Sequence, residues 1–161
     1  MNKLLIGCDP GVNGCIVLIN ANTLEIIDHM MLRDYIIEPN KLIRFCDFYI
    51  YNRIKEIINY HGYNDIHITI EGVGFYKQYQ AMAAIKLARV AASLETMFYG
   101  ITENVTWLTP RTWQKKFRIY NKSDAFRCSY TKDLPVLREY NDTESWITIA
   151  ESYLIGIYNE I

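Results

Sequence analysis

Short apolar runs separated by turn-forming residues fill the first fifth of the chain, and apolar positions spaced by three and four dominate the remainder. Residues 3–8 are a brief apolar run ending at Asp9-Pro10-Gly11, and residues 14–20 are a second run rich in Ile, Val and Leu. A Pro-Gly turn between two such runs predicts a pair of strands. Residues 24–31 alternate weakly after the Asn20-Ala21-Asn22 turn and add a third strand to the meander. From residue 39 to about 60, Leu42, Ile43, Phe45, Cys46, Tyr49, Ile50, Ile54, Ile57 and Ile58 recur at helical spacing, with Pro39 suited to a first turn and His61-Gly62-Tyr63-Asn64 as the stop. Residues 66–70 (IHITI) alternate as a strand that delivers Glu71 at its end, before Gly72 and Gly74. An Ala-rich helix is predicted over 78–99, a short fifth strand over 105–108, and a helical piece opening at Pro110 that carries Trp113, Lys115 and Lys116. Residues 119–135 are polar and poorly periodic and read as an irregular loop, after which Ile147, Ala150, Tyr153, Leu154 and Ile157 predict a closing helix over 143–158.

This order predicts an α/β fold with a five-stranded mixed sheet, three strands antiparallel and then two parallel, flanked by helices. Half of the 161 positions are apolar, enough for one compact domain spanning 1–161. The formal net charge is only -1, so any nucleic-acid surface must come from local clustering of basic residues. Cys8, Cys15, Cys46 and Cys128 form no CxxC pair, which argues against structural zinc and for buried, reduced thiols; His29, His61 and His67 lack a ligand pattern. The first residues do not have the layout of a signal peptide, and no apolar stretch approaches a membrane span. A cytoplasmic protein with no membrane partner is expected.

The chemistry lies in three acids. Asp9 follows the first predicted strand, Glu71 ends the fourth and Glu151 sits in the last helix, so residues distant in sequence can meet at one sheet edge. Each alone has an ordinary reading, as a turn Asp, a solvated strand-end Glu and a polar-face helix Glu. Together, their hard oxygens suit Mg²⁺ or Mn²⁺, and two such ions can position an attacking water and stabilise the leaving oxygen of a phosphodiester.

Four segments carry a resemblance. IGCDPGVNGCIVLI at 6–19, ITIEGVGFYKQYQAMAAIKLARVAASLETMF at 68–98, LTPRTWQKKF at 108–117 and IAESYLIGIY at 149–158 resemble the RuvC-like Holliday junction resolvases of the RNase H-like superfamily, particularly the bacteriophage and poxvirus type. The resemblance implies that Asp9 is the first catalytic acid, Glu71 the second and Glu151 the last, around a two-ion Mg²⁺ or Mn²⁺ site. It also implies that Lys115 or Lys116 approaches the active site or the DNA backbone. The family places a further acid or His about one turn before the last carboxylate, where this chain has Thr148. Candidates for that role are the Thr148 hydroxyl, Glu144 on the same helical face, or Asp142 just upstream.

Between residues 111 and 132, Arg111, Lys115, Lys116, Arg118, Lys122, Arg127 and Lys132 face a single acid, Asp124, a local balance of +6. Such a strip can offset phosphate charge beside an acidic centre. Phe75, Tyr76 and Tyr79, with Lys77 among them, are candidates for contacting unpaired bases at a junction, or else for the core. Ala81, Ala84, Ala88, Ala91 and Ala92 permit close approach of a helix, inside the monomer or in a homodimer that sets two sites across a four-way junction. The expected activity is metal-dependent cleavage of branched DNA. The alternative is a branched-DNA-binding protein with weak cleavage, because Thr148 replaces an acid. A third reading, half of an actin-like or sugar-kinase ATPase, rests on DPGVNG and conflicts with a length that provides one lobe only.

Overall fold

The computed structural model describes residues 2–36, 45–72, 81–121, 124–125 and 143–161. Strands β1 (Lys3–Cys8), β2 (Cys15–Asn20), β3 (Ile26–Met31), β4 (Asp65–Glu71) and β5 (Val105–Leu108) form one sheet in the order β3-β2-β1-β4-β5. The pairs β1–β2 and β2–β3 are antiparallel, whereas β1–β4 and β4–β5 are parallel, which is the mixed sheet expected. Helices α1 (Asp47–His61), α2 (Ala81–Tyr99), α3 (Pro110–Phe117) and α4 (Thr143–Gly156) supply the crossovers and the close of the chain.

Side-chain alternation divides the interior in two. Leu4, Ile6 and Cys8 of β1, with Ile68 and Ile70 of β4, share a buried cluster with Ile50, Ile54, Leu94 and Phe98 of α1 and α2. Leu5 of β1 and Leu108 of β5 join Trp113 of α3 and Ile149, Tyr153 and Leu154 of α4 in a second cluster on the opposite face. Burying each such aliphatic side chain is worth about 1.5–3 kcal/mol. A slip of one residue in β1 would exchange the two faces, so the core itself fixes which side Asp9 emerges on.

Helix α4 lies unusually close to β1. A Cβ at Gly7 would stand 1.9 Å from the Ser152 carbonyl oxygen and 2.6 Å from the Gly156 nitrogen, and one at Gly156 would stand 3.1 Å from the Gly7 Cα. Two glycines thus let backbone pack on backbone, and only their lack of side chains permits it.

Helix α1 departs from the expected boundary. Phe45 forms an antiparallel bridge with Ile36, and the Cys46 N–H donates to the Tyr35 carbonyl at 3.0 Å, so both residues lie outside the helix, which begins at Asp47. Its N-terminus is tied to α2 by the Ser93 hydroxyl, which donates to Asp47 Oδ2 at 2.7 Å. It ends at Gly62 in the left-handed region, φ 65, as a Gly after the last apolar position predicts. Of the α2 alanines, Ala91 is buried, Ala84 and Ala88 are half-buried and Ala92 is exposed. The expectations for Pro39, Leu42 and Ile43, for Phe75, Tyr76, Lys77 and Tyr79, and for Lys122, Arg127, Lys132 and Asp142 lie outside the described residues. No described helix is long and apolar enough to cross a membrane.

Candidate metal centre

Cys8 of β1 stands opposite Ile70 of β4 in parallel register, so the next residues, Asp9 and Glu71, lie side by side at the carboxyl ends of adjacent central strands. By alternation from Leu5 and Gly7, and from His67 and Thr69, both fall on the α4 face. Asp9 is set by its turn: its N–H donates to the Cys15 carbonyl at 3.0 Å, and its Oδ1 accepts from the Gly11 N–H at 2.9 Å. That same Cys15 carbonyl accepts the hydroxyl of buried Ser152 at 2.9 Å. Ser152 follows Glu151, so a single carbonyl couples the Asp9 turn to the helix that carries the third acid. Glu71 ends β4 opposite Leu108, and the next residue holds the strand edge through the Gly72 N–H, which donates to the Leu108 carbonyl at 2.6 Å.

The three acids share one electrostatic environment. Burial first, then the Asp9 and Glu151 charges, push the Glu71 carboxyl up to about 8, against a lowering by the Trp113 indole N–H, which donates to Glu71 Oε1 at 2.7 Å. Among the described residues no three or more His, Cys, Asp or Glu side chains are gathered closely enough to form a ready-made metal-ligand group. The carboxylates line a common edge rather than a prebuilt cage. That suits Mg²⁺, which binds through one or two carboxylates and keeps waters and substrate phosphates as its other ligands. A divalent cation would also neutralise the repulsion that raises Glu71. Below about pH 8 it must displace the Glu71 proton, so its affinity should rise with pH up to about 8 and level off above, as calorimetry in buffers of different ionisation enthalpy would register through proton release. Cys8 and Cys15 are free and buried, and burial pushes both thiols up, so neither supplies a thiolate.

The other predicted site residues are dispersed. Thr148 is 8 % exposed and its hydroxyl donates to the Glu144 carbonyl at 3.0 Å, which commits its only proton to the helix. Glu144 is exposed in the first turn of α4, two helical turns or roughly 10 Å along the axis from Glu151. Lys116 donates to the Tyr158 carbonyl at 2.5 Å and lies over the Tyr158 ring, so it pins the end of α4. With Thr109, Arg111, Thr112, Lys115 and Tyr158 it lines an open groove of about 540 Å³. Arg111, Lys115 and Arg118 are exposed, with Arg118 closing α3 in the left-handed conformation, φ 55.

Trp113 is the contact that sequence reasoning missed. Its position in α3 is evident as an apolar helical site, but nothing local names its partner. Thr109 caps α3 by accepting from the Thr112 N–H, and Pro110 starts the first turn. With Leu108 paired to Glu71, a helix that begins two residues later returns its fourth position over β4. That register is the available signal.

A scan against protein-family models gives no match, and neither does a search of curated proteins. Among solved structures, the chain is similar to RuvC of Thermus thermophilus in complex with a Holliday junction substrate, with a TM-score of 0.63 and 14% identity over 96% of this chain and 90% of that one. A second structure of Thermus thermophilus RuvC gives a TM-score of 0.61 at 13% identity, covering 98% of this chain and 92% of that one. The likeness is one of architecture: the chain has a RuvC-like, RNase H-like fold.

Proposed function

We propose that the protein is a metal-dependent endonuclease that resolves Holliday junctions and related branched DNA. The observation that supports this reading is the placement of Asp9 and Glu71 at the ends of adjacent strands of a RuvC-like fold, with the Asp9 and Glu151 charges both acting on Glu71. Asp9 and Glu71 would hold the cation, with Glu151 as the third oxygen donor. Mg²⁺ or Mn²⁺, if held there, would supply an activated water and charge neutralisation at the leaving oxygen. The Asp9 turn and the Cys15 carbonyl tie Asp9 to the helix that carries Glu151, and partial burial limits solvent around Glu71. By resemblance to the RuvC-like resolvases, cleavage would leave a 5′-phosphate and a 3′-hydroxyl.

A junction as substrate is supported by the RuvC neighbour that holds one. The groove lined by Arg111 and Lys115 supplies cations for backbone phosphates. Converting both to Ala should weaken junction binding and reduce the slope of log affinity against log salt by about two, read from titrations over a range of NaCl. A symmetric homodimer would set one site against each of two opposed strands.

The state of Thr148 favours a second reading, junction binding with weak cleavage, since a buried hydroxyl bonded to its own helix is a poor substitute for a carboxylate. Incubation of a labelled four-way junction and a matched linear duplex with Mg²⁺, Mn²⁺ or EDTA separates the readings. Paired, metal-dependent cuts near the crossover support a resolvase. Binding without cuts, restored by Thr148→Asp, supports the second reading, and neither binding nor cutting refutes both.

A further inference from the structure

We infer that Trp113 is a positioning residue for the metal centre, its indole N–H holding one oxygen of Glu71 so that the other is offered to the cation. This rests on the metal-dependent reading above. Trp113 is 1 % exposed and belongs to the buried cluster of Leu108, Ile149 and Tyr153, so its ring has little freedom. Its N–H donates to Glu71 Oε1 at 2.7 Å, within the range of a charge-assisted hydrogen bond. An indole has one donor and no acceptor, and it offers no lone pair to ligate a metal ion. It therefore occupies Oε1 without competing for the metal, and fixes the carboxylate plane of a side chain that otherwise has three free torsions.

The placement follows from elements already described. Glu71 is paired to Leu108, and α3 is capped at Thr109 and opened by Pro110, so the indole is delivered from rigid structure rather than from a loop. Partners of this kind orient metal ligands, and their loss ordinarily costs about 10–100-fold in metal affinity or activity. Trp107 provides an internal contrast: its indole N–H reaches Glu95 at 3.2 Å, but the ring is 36% exposed and Glu95 lies on α2, behind the other face of the sheet.

The test is Mn²⁺ binding to the full-length, DNA-free protein by calorimetry, with Trp113→Phe and with benzothienylalanine at position 113, where sulfur replaces the N–H in a ring of nearly unchanged size. Both should bind Mn²⁺ about tenfold or more weakly, and the Mn²⁺ concentration for half-maximal junction cleavage should rise in proportion. Thermal unfolding of the benzothienyl protein should match the parent, which separates positioning from packing. In a Glu71→Gln background the same replacement should change Mn²⁺ binding no further. Equal Mn²⁺ affinity in the parent and the benzothienyl protein would overturn the inference alone. A parent that binds no Mn²⁺ would overturn the metal-centre reading and the inference with it.

Discussion

Replacing Asp9 with Asn or Glu71 with Gln should lower the rate of junction cleavage by ~10³-fold or more while junction binding stays within a few-fold of the parent. Each change keeps the side-chain size and removes one anionic donor from a centre that has few, and loss of several kcal/mol of charge stabilisation at the transition state gives a factor of that order. The Gln at 71 can still accept the Trp113 N–H, so the local packing survives. Binding persists because the cations of the Arg111–Lys115 groove are untouched. The same variant makes a second, independent statement about stability. The folded Glu71 carboxyl titrates at about 8 against 4.5 for the unfolded chain, so the metal-free fold binds the extra proton in that window and loses stability as pH rises from 4.5 through about 8. Glu71→Gln mimics the neutral form. It should therefore resist unfolding better than the parent at pH 9 without metal, and the advantage should vanish at pH 4, as thermal melts at the two pH values would record.

Gly7→Ala should be strongly damaging for so small a substitution. The added methyl meets backbone on three sides, 1.9 Å from the Ser152 carbonyl oxygen and 2.6 and 2.8 Å from Gly156 backbone atoms, so no rotamer change relieves it. Helix α4 must move off the sheet, taking Glu151 from Glu71 and stretching the Ser152 hydroxyl from the Cys15 carbonyl. Overpacking of this kind costs about 3 kcal/mol or more, a melting shift of roughly 10 °C for a chain of this length. Cleavage should fall with it. Gly62→Ala is the control: nothing lies within 4 Å of the new atom, and only the left-handed backbone, φ 65, penalises it, by about 1 kcal/mol. Urea unfolding of the two variants should rank them in that order.

The strands, and the positions of Asp9 and Glu71 at their ends, are legible in the sequence because both follow from alternation and turn chemistry. The run ending at Asp9 and the run ending at Glu71 have their apolar residues on the faces the structure buries, and parity alone puts both carboxylates on one side. Phe45 is different: its spacing fits the helix that follows it, whereas a bridge to Ile36 decides its conformation, so a contact across the chain overrides a local pattern. Lys115 and Lys116 are indistinguishable in sequence. Only the fold turns Lys116 onto the Tyr158 carbonyl, while Lys115 lines the same groove. Gly7 and Gly156, which seat α4, and Trp113, which meets Glu71, are long-range contacts with no local signature.

Crystals of the protein soaked in Mn²⁺, with diffraction recorded at the manganese absorption edge, locate the metal directly. An anomalous peak within about 2.5 Å of carboxylate oxygens of Asp9 and Glu71, with Glu151 bordering the same density and the peak lost in Glu71→Gln, is the expected result. A map with no peak at that edge, or with Mn²⁺ bound only elsewhere, would contradict the assignment of these carboxylates as a metal centre.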